Sequence, residues 1–432
     1  MSADGKIVTT IVDLTHDGQG VADIDGRRVF VPDALPGERV EIRLRKRRRK
    51  LLEADLVAVL EPSPSRVTPG CEYFGRCGGC ALQHLDHPAQ VEFKQNSVAQ
   101  ALARIAHTEP EEWLQPVIGP PWQYRRRARL GVKYVPGKDR VLVGFRERAG
   151  PYITDMQHCP VLMPPLDRLL GELAELIAQS SVRERVPQIE AAVADETTAL
   201  VLRVLEAPTA ADEQLFLTFA AKHGVDIYLQ RGGPGTVTPL GTARTLSYKQ
   251  EAFGLTLQFL PTDFVQVNPE VNAELVATAL RLAAVEPTDR VLDLYCGLGN
   301  FSLPLAQRAK ELLGVEGEAG LVARAVRNAT ANGIGNARFV TANLMASDWS
   351  FFREPWDVVM LDPPRTGAEA PVAEMHRSMP RRIVYVSCHP ATLARDARVL
   401  VEDLGYRLRT ARVFDMFPHT HHIEALAMFE RA

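Results

Sequence analysis

Along residues 1 to 62 apolar and polar positions alternate in short runs. The runs break at Asp17-Gly18-Gln19-Gly20, Asp25-Gly26 and Leu35-Pro36-Gly37. Alternation with a period of two marks half-buried strands, and glycine and aspartate supply the positive φ angles of tight turns. Strands are therefore predicted at residues 6–14, 20–24, 27–31, 38–45 and 51–60. Five such strands predict a small closed barrel of the oligonucleotide-binding kind. Between residues 89 and 107 the apolar spacing becomes helical. From Pro164 to about Arg244 a helix (166–179) and strands (199–204, 225–230) predict a mixed α/β middle region. In the last third strand and helix alternate, which predicts a parallel sheet with right-handed crossovers. Its strands are placed at 290–294, 311–315, 337–341, 358–361 and 383–387, followed by two more near 407–414 and 423–429.

A chain of 432 residues is too long for one small core, so two or three domains are expected. No apolar run is long enough to span a bilayer and the first residues do not read as a secretory signal, so the expectation is a cytoplasmic protein without a membrane partner. A net charge of −3 excludes a chain coated in positive charge. Nucleic-acid binding then has to use local patches. The densest is Arg43-Leu44-Arg45-Lys46-Arg47-Arg48-Arg49-Lys50, whose self-repulsion favours phosphate contact. A second basic stretch, Tyr124-Arg125-Arg126-Arg127-Ala128-Arg129, reads either as an RNA-facing surface or as a strand with one basic face.

Six cysteines do not make a disulfide framework in a chain this long, and Cys71, Cys77 and Cys80 cluster among glycines. Three thiolates this close can wrap a metal, with Cys159, followed by Pro160, as the candidate fourth ligand. Three ligands together and one remote before proline fit a [4Fe-4S] cluster better than a zinc ribbon, with zinc as the alternative. His84 and His158 read as neighbours of that centre rather than its ligands.

The stretch Val291-Leu292-Asp293-Leu294-Tyr295-Cys296-Gly297-Leu298-Gly299-Asn300-Phe301 is a strand, a glycine turn and the approach to a helix starting near Ser302. The next strand ends in Gly314-Val315-Glu316, where a carboxylate can accept from a ribose diol. The turn lacks the full Gly-x-Gly-x-x-Gly pattern, which favours a compact nucleoside with an amino-acid tail over a dinucleotide; S-adenosylmethionine fits. Asn343 closes the third strand, and Asp362-Pro363-Pro364-Arg365 makes a proline-stiffened loop after the fourth. The fifth strand, Ile383-Val384-Tyr385-Val386-Ser387, runs into Cys388 before Pro390, presenting a thiol at the sheet edge where ligands bind. An antiparallel last strand inserted beside the fifth brings Glu424 to Cys388. A thiolate and a carboxylate beside a methyl donor suit methylation at uracil C5: the thiolate adds at C6, C5 becomes nucleophilic, and a base removes the C5 proton.

Phe264-Val265-Gln266-Val267-Asn268-Pro269, Asp293 to Gly299, Asp362-Pro363-Pro364-Arg365, Ser387-Cys388-His389-Pro390 and His422-Ile423-Glu424 resemble the RNA uracil-5 methyltransferases. With the cluster cysteines and an N-terminal barrel that resembles a TRAM domain, the chain is most similar to those members that act on 23S ribosomal RNA. The resemblance implies a Rossmann-like methyltransferase domain (82–118 and 261–432), a TRAM-like barrel (1–62) and an iron-sulfur central domain (63–81 and 119–260). It implies Cys388 as nucleophile and Glu424 as base. It also implies that Gln266, Tyr295, Asn300, Glu316, Asn343 and Asp362 surround S-adenosylmethionine, and that Cys71, Cys77, Cys80 and Cys159 hold a four-iron cluster. The expected partner is 23S ribosomal RNA, naked or partly assembled, met by a monomer. One departure stands out: His389 occupies a position where the family usually has asparagine. Competing readings are another RNA uridine such as that of the transfer-RNA T-loop, an RNA-binding assembly protein without turnover, and a cytosine-5 methyltransferase. The last normally carries a cysteine in the strand-four loop, where this chain has Pro364-Arg365.

Overall fold

The computed structural model describes residues 6–45, 52–345 and 350–431. The chain divides into two compact units. One comprises Met1–Lys94, Phe145–Thr154 and Phe417–His422; the other comprises Gln95–Gly144, Asp155–Met416 and Ile423–Ala432.

The first unit holds the predicted barrel. Strands Lys6–Leu14, Gly20–Ile24, Arg27–Val31, Arg39–Leu44 and Leu52–Glu61 close on themselves, the last lying between the third and fourth. Alternation does the work: Ile11, Ala22, Val29, Val31, Val40, Ile42 and Ala54 turn inward and fill the interior. Asp25 and Gly26 both have positive φ (52° and 74°), the geometry of a two-residue hairpin turn. In the basic run, Arg45 donates to Asp55 at 2.7 Å. Residues 46–50, the densest part of that run, lie outside the described residues, as does Leu51.

The second unit contains two large sheets and a hairpin. The eight-stranded sheet runs Ala337–Thr341, Glu311–Glu316, Arg290–Leu294, Val358–Leu361, Arg382–Ser387, Glu424–Arg431, Tyr406–Phe414, Glu112–Trp113. The first five are mutually parallel. The inner strands of these five are apolar on both faces because both faces are buried, as in Val358-Val359-Met360-Leu361. Glu424–Arg431 is antiparallel to both its neighbours. The two-residue edge strand Glu112–Trp113 was not predicted; it is too short to leave a pattern and exists only by pairing with Tyr406–Phe414.

The middle region forms a six-stranded sheet: Val237–Pro239, Val225–Gln230, Thr198–Arg203, Gln188–Val193, Arg127–Val135 and Arg140–Gly144. Part of its basic stretch is spent inside the protein. Arg126 is buried, lies over the Tyr248 ring at 5.4 Å and reaches Asp195 at 3.3 Å. Arg129, which is exposed, pairs with Glu190 at 3.1 Å. The RNA-facing reading of this strand is therefore corrected at Arg126, which alternation turns into the core. Among the described residues no helix is long and apolar enough to cross a membrane.

Candidate active site

The register of the last strand decides what Cys388 meets. Ser387 is the partner of Ala425 across the antiparallel pair, so one further step places Cys388 opposite Glu424. Directly opposed residues in such a pair point to the same face with Cβ atoms about 5 Å apart. The electrostatics agree. Burial pushes the Cys388 thiol up to about 11, the charges of Glu424 and Asp362 push the same way, and the Arg365 guanidinium opposes them. Glu424 is only 3% exposed; burial and then the charge of Asp362 hold its carboxyl well above the ordinary carboxylate range. Asp362 is itself raised to about 7 by burial. The Cys388 thiol and the carboxyls of Glu424 and Asp362 thus share one low-dielectric recess, where each resists ionising beside the others.

The glycine turn sits two strands away at the same edge. Tyr295 ends the strand in a left-handed conformation (φ 63°), and Gly297 and Gly299 follow at 55° and 102°. The Gly297 N–H donates to Glu316 Oε2 at 3.1 Å, while Glu316 Oε1 accepts from Gly317 and Glu318 at 2.6 and 3.0 Å. The carboxylate of Glu316 therefore bridges the two loops, where a ribose diol would be held. The helix after the turn is shorter than a dipole argument needs, only Ser302–Ala306. Its first residue donates through Ser302 Oγ to Asp293 Oδ2. Asp293 is fully buried and raised to about 7 by burial, with the Ser302 bond opposing and the charges of Asp362 and Glu316 adding to the rise. Three carboxylates thus converge around this edge, an environment that favours a cation.

Two further observations bear on whether S-adenosylmethionine fits. The Tyr295 hydroxyl is buried with no hydrogen-bond partner among the described residues, and the charges of Asp362 and Glu316 both reach the buried Asp293. Both fit a sulfonium nucleoside with polar edges. The remaining predicted contacts are distributed unevenly. Gln266 is half-buried between the buried Val265 and Val267. Asn343 is exposed and its Oδ1 accepts from Met345 N–H at 2.9 Å. The Asn300 side chain is directed into a polar network: its Oδ1 accepts from Tyr248, Gln250 and Asn272 at 3.0, 2.9 and 3.1 Å.

A model of the family described as tRNA (Uracil-5-)-methyltransferase matches residues 251–432, and one of the TRAM domain matches residues 5–57. The 23S rRNA (uracil(1939)-C(5))-methyltransferase RlmD of Nitrosococcus oceani is 51% identical over 97% of this chain and 94% of its own length. The protein of that name from Alkalilimnicola ehrlichii is 50% identical over 98% and 96%. The chain belongs to the RNA uracil-5 methyltransferase family. Among solved structures, the Pyrococcus abyssi tRNA (uracil-54, C5)-methyltransferase in complex with S-adenosyl-L-homocysteine superposes with a TM-score of 0.76. It covers 99% of this chain and 100% of its own at 26% identity.

Within the uracil-5 methyltransferase fold, the departure at His389 has a local account. His389 is the N-cap of helix Pro390–Arg398: its backbone is extended (φ −145°) and Nδ1 accepts from Thr392 N–H at 3.4 Å. Asparagine at an N-cap accepts the same bond through its side-chain oxygen, so either residue can cap this helix. Accepting through Nδ1 puts the ring proton of the neutral imidazole on Nε2.

The cysteine loop lies in the first unit. Cys77 is buried and Cys71 and Cys80 are half-buried; Cys159, in the second unit, is buried and lines a cleft of about 280 Å3 with Trp122, Gln123 and Asp167. None of the six cysteines is in a disulfide. The Gly79 N–H donates to Cys77 Sγ at 3.3 Å, and backbone N–H groups of Tyr73 and Phe74 favour the Cys71 thiolate against the burial that raises it. Thiols that accept from backbone N–H groups, as Cys71 and Cys77 do, fit a cluster's donor set. Among the described residues, however, no group of three or more His, Cys, Asp or Glu side chains is arranged to hold a metal ion.

Sequence reading left three contributors without a role. Asp293 was visible only as part of a motif; its burial against Ser302 depends on strand–helix packing. Arg365 follows its two prolines in sequence, but nothing local says its charge reaches Cys388. Asn272 completes the Asn300 network from a helix, Pro269–Ala283, whose pattern reads simply as amphipathic.

Proposed function

We propose that the protein is an S-adenosylmethionine-dependent methyltransferase that forms 5-methyluridine in 23S ribosomal RNA, at the site numbered 1939 in the names of its relatives. The observation that carries the chemistry is the register that sets Cys388 against Glu424 in one buried recess beside Asp362 and Arg365. The choice of RNA is supported by relatives about half identical over nearly the whole chain.

When bound, S-adenosylmethionine supplies an electrophilic methyl group on a positively charged sulfur. Glu316 and the glycine turn orient its nucleoside, and the buried carboxylates balance its charge, with Gln266, Tyr295, Asn300, Asn343 and Asp362 around it. Cys388, as thiolate, adds to C6 of the uracil, which makes C5 nucleophilic enough to accept the methyl group. Arg365 favours that thiolate. Glu424 then takes the C5 proton, and the electrons of the C–H bond restore the C5–C6 double bond as the Cys388–C6 bond breaks. A carboxylate whose proton affinity burial has raised is, once ionised, a stronger base than one in water. The base has to leave its stack for attack at C6, which favours naked or partly assembled RNA over a finished subunit. The assay is methyl transfer to 23S fragments by wild type and Cys388→Ala: activity disappears in the variant, and equal rates would end the nucleophile assignment. A transfer-RNA substrate is the second reading, favoured by the Pyrococcus abyssi structure; the same assay with transfer RNA separates them.

Cys71, Cys77, Cys80 and Cys159 are assigned to a [4Fe-4S] cluster, with zinc as the alternative. Support comes from their spacing and from the N–H donors to Cys71 and Cys77. The chemistry above uses no electron transfer, so the cluster's role is to staple the loops that carry its ligands. Protein purified without oxygen is expected to be brown, with about four irons per chain; a colourless preparation with stoichiometric zinc selects the alternative. The barrel is assigned to RNA contact and the chain to work as a cytoplasmic monomer.

A further inference from the structure

Helix Pro390–Arg398 begins two residues after the proposed nucleophile, and one of its faces is devoted to the loop that follows Val358–Leu361. Thr392, Arg395 and Asp396, at i, i+3 and i+4, line up on that face. Thr392 Oγ1 donates to the carbonyl of Arg365 at 3.2 Å. Arg395 Nη2 donates to the carbonyl of Thr366 at 3.0 Å. Asp396 Oδ2 accepts the Ala368 N–H at 2.7 Å. Three side chains of one helix thus pin residues 365, 366 and 368 of one loop.

Asp396 is the deepest of the three. It is 0% exposed, and its carboxylate also accepts from the Tyr385 hydroxyl at 2.6 Å and from Arg395 Nε at 2.8 Å. The Ala368 N–H is shared with the Tyr385 hydroxyl at 3.1 Å, so strand, helix and loop meet at one carboxylate. Between the pins, Gly367 has φ 78°. A Cβ there would stand 2.6 Å from Arg395 Nη2 and 2.7 Å from Asp396 Oδ2. Only glycine lets the loop approach the helix this closely. The charge of Asp396 is also felt at the Tyr295 hydroxyl of the glycine turn.

We propose that Asp396 is a positioning residue for the methyl transfer: with Thr392 and Arg395 it clamps the Asp362–Ala368 loop so that the charge of Arg365 stays near Cys388. The inference rests on Cys388 being the nucleophile. The clamp is built from the helix that starts beside the thiol, so thiol and guanidinium are referenced to one rigid element. Freed of its pins, the loop carries Arg365 away from the sulfur, and the thiolate loses a nearby positive charge that favours it.

The test compares full-length wild type with Asp396→Asn and, as a milder cut at the same junction, Tyr385→Phe. Alkylation of Cys388 by iodoacetamide is followed against pH by mass spectrometry of the peptide that contains it. Methyl-transfer kinetics and S-adenosylhomocysteine binding are measured in parallel. In Asp396→Asn the alkylation midpoint moves to higher pH by about half a unit or more. Its kcat falls by about tenfold to 100-fold, while S-adenosylhomocysteine affinity stays within about threefold of wild type. Tyr385→Phe shifts the midpoint in the same direction by less, and it decides the matter alone if Asp396→Asn does not fold. A midpoint that superimposes on wild type overturns the clamp, whatever happens to kcat. Alkylation needs no methyl transfer, so failure of the nucleophile assignment, seen as an active Cys388→Ala, is read separately.

Discussion

Asp293 offers the sharpest quantitative check on the carboxylate-rich recess. It is fully buried, and its proton affinity is raised from the ordinary 3.8 to about 7. For a carboxyl raised by folding, the folded protein binds the proton more tightly than the unfolded chain. The stabilising linkage is therefore complete below about pH 4 and is lost as pH rises towards 7. At saturation the loss is about 4 kcal/mol, and about 2.5 kcal/mol of it falls between pH 5 and pH 7.5. Asp293→Asn removes the ionisation but keeps an oxygen to accept from Ser302, so its packing cost is the same at both pH values. Relative to wild type, the variant should gain about 2.5 kcal/mol between pH 5 and pH 7.5 in guanidinium titrations. A stability difference that does not change over that interval would falsify the claim that this carboxyl is held protonated by burial and its neighbours.

Two other outcomes follow from the same recess. Glu424→Gln leaves addition and methylation possible but removes the acceptor for the C5 proton, so a methylated RNA–protein adduct resistant to denaturing gels should accumulate; rapid turnover without adduct would reassign the base. Asp293, Asp362 and Glu424 ionise more fully as pH rises, which favours a cation over a neutral ligand. Affinity for S-adenosylmethionine relative to S-adenosylhomocysteine should increase by about threefold to tenfold from pH 6 to pH 8, measured by calorimetry. A ratio independent of pH would show that these groups do not face the sulfur.

The chain's pattern alone determined the barrel strands, the order of strand and helix in the last third, and the glycine turn. These are local: alternation, apolar runs and turn residues dictate backbone state wherever the partner surface is a generic core. The motif residues also marked Cys388 and Glu424, and the topology expected of the last strand anticipated their meeting. Tertiary structure decided what periodicity does not encode. Pairing alone created the strand Glu112–Trp113, and alternation within a sheet sent Arg126 inward to Tyr248 and Asp195 although its neighbours read as a basic surface. Proton affinities in the recess arise first from burial and then from carboxylates contributed by separate strands, a combination that no stretch of sequence contains. Asp396 looks like any polar residue of an amphipathic helix; only the approach of Gly367 and Ala368 across the fold turns it into the point where loop, helix and strand are joined.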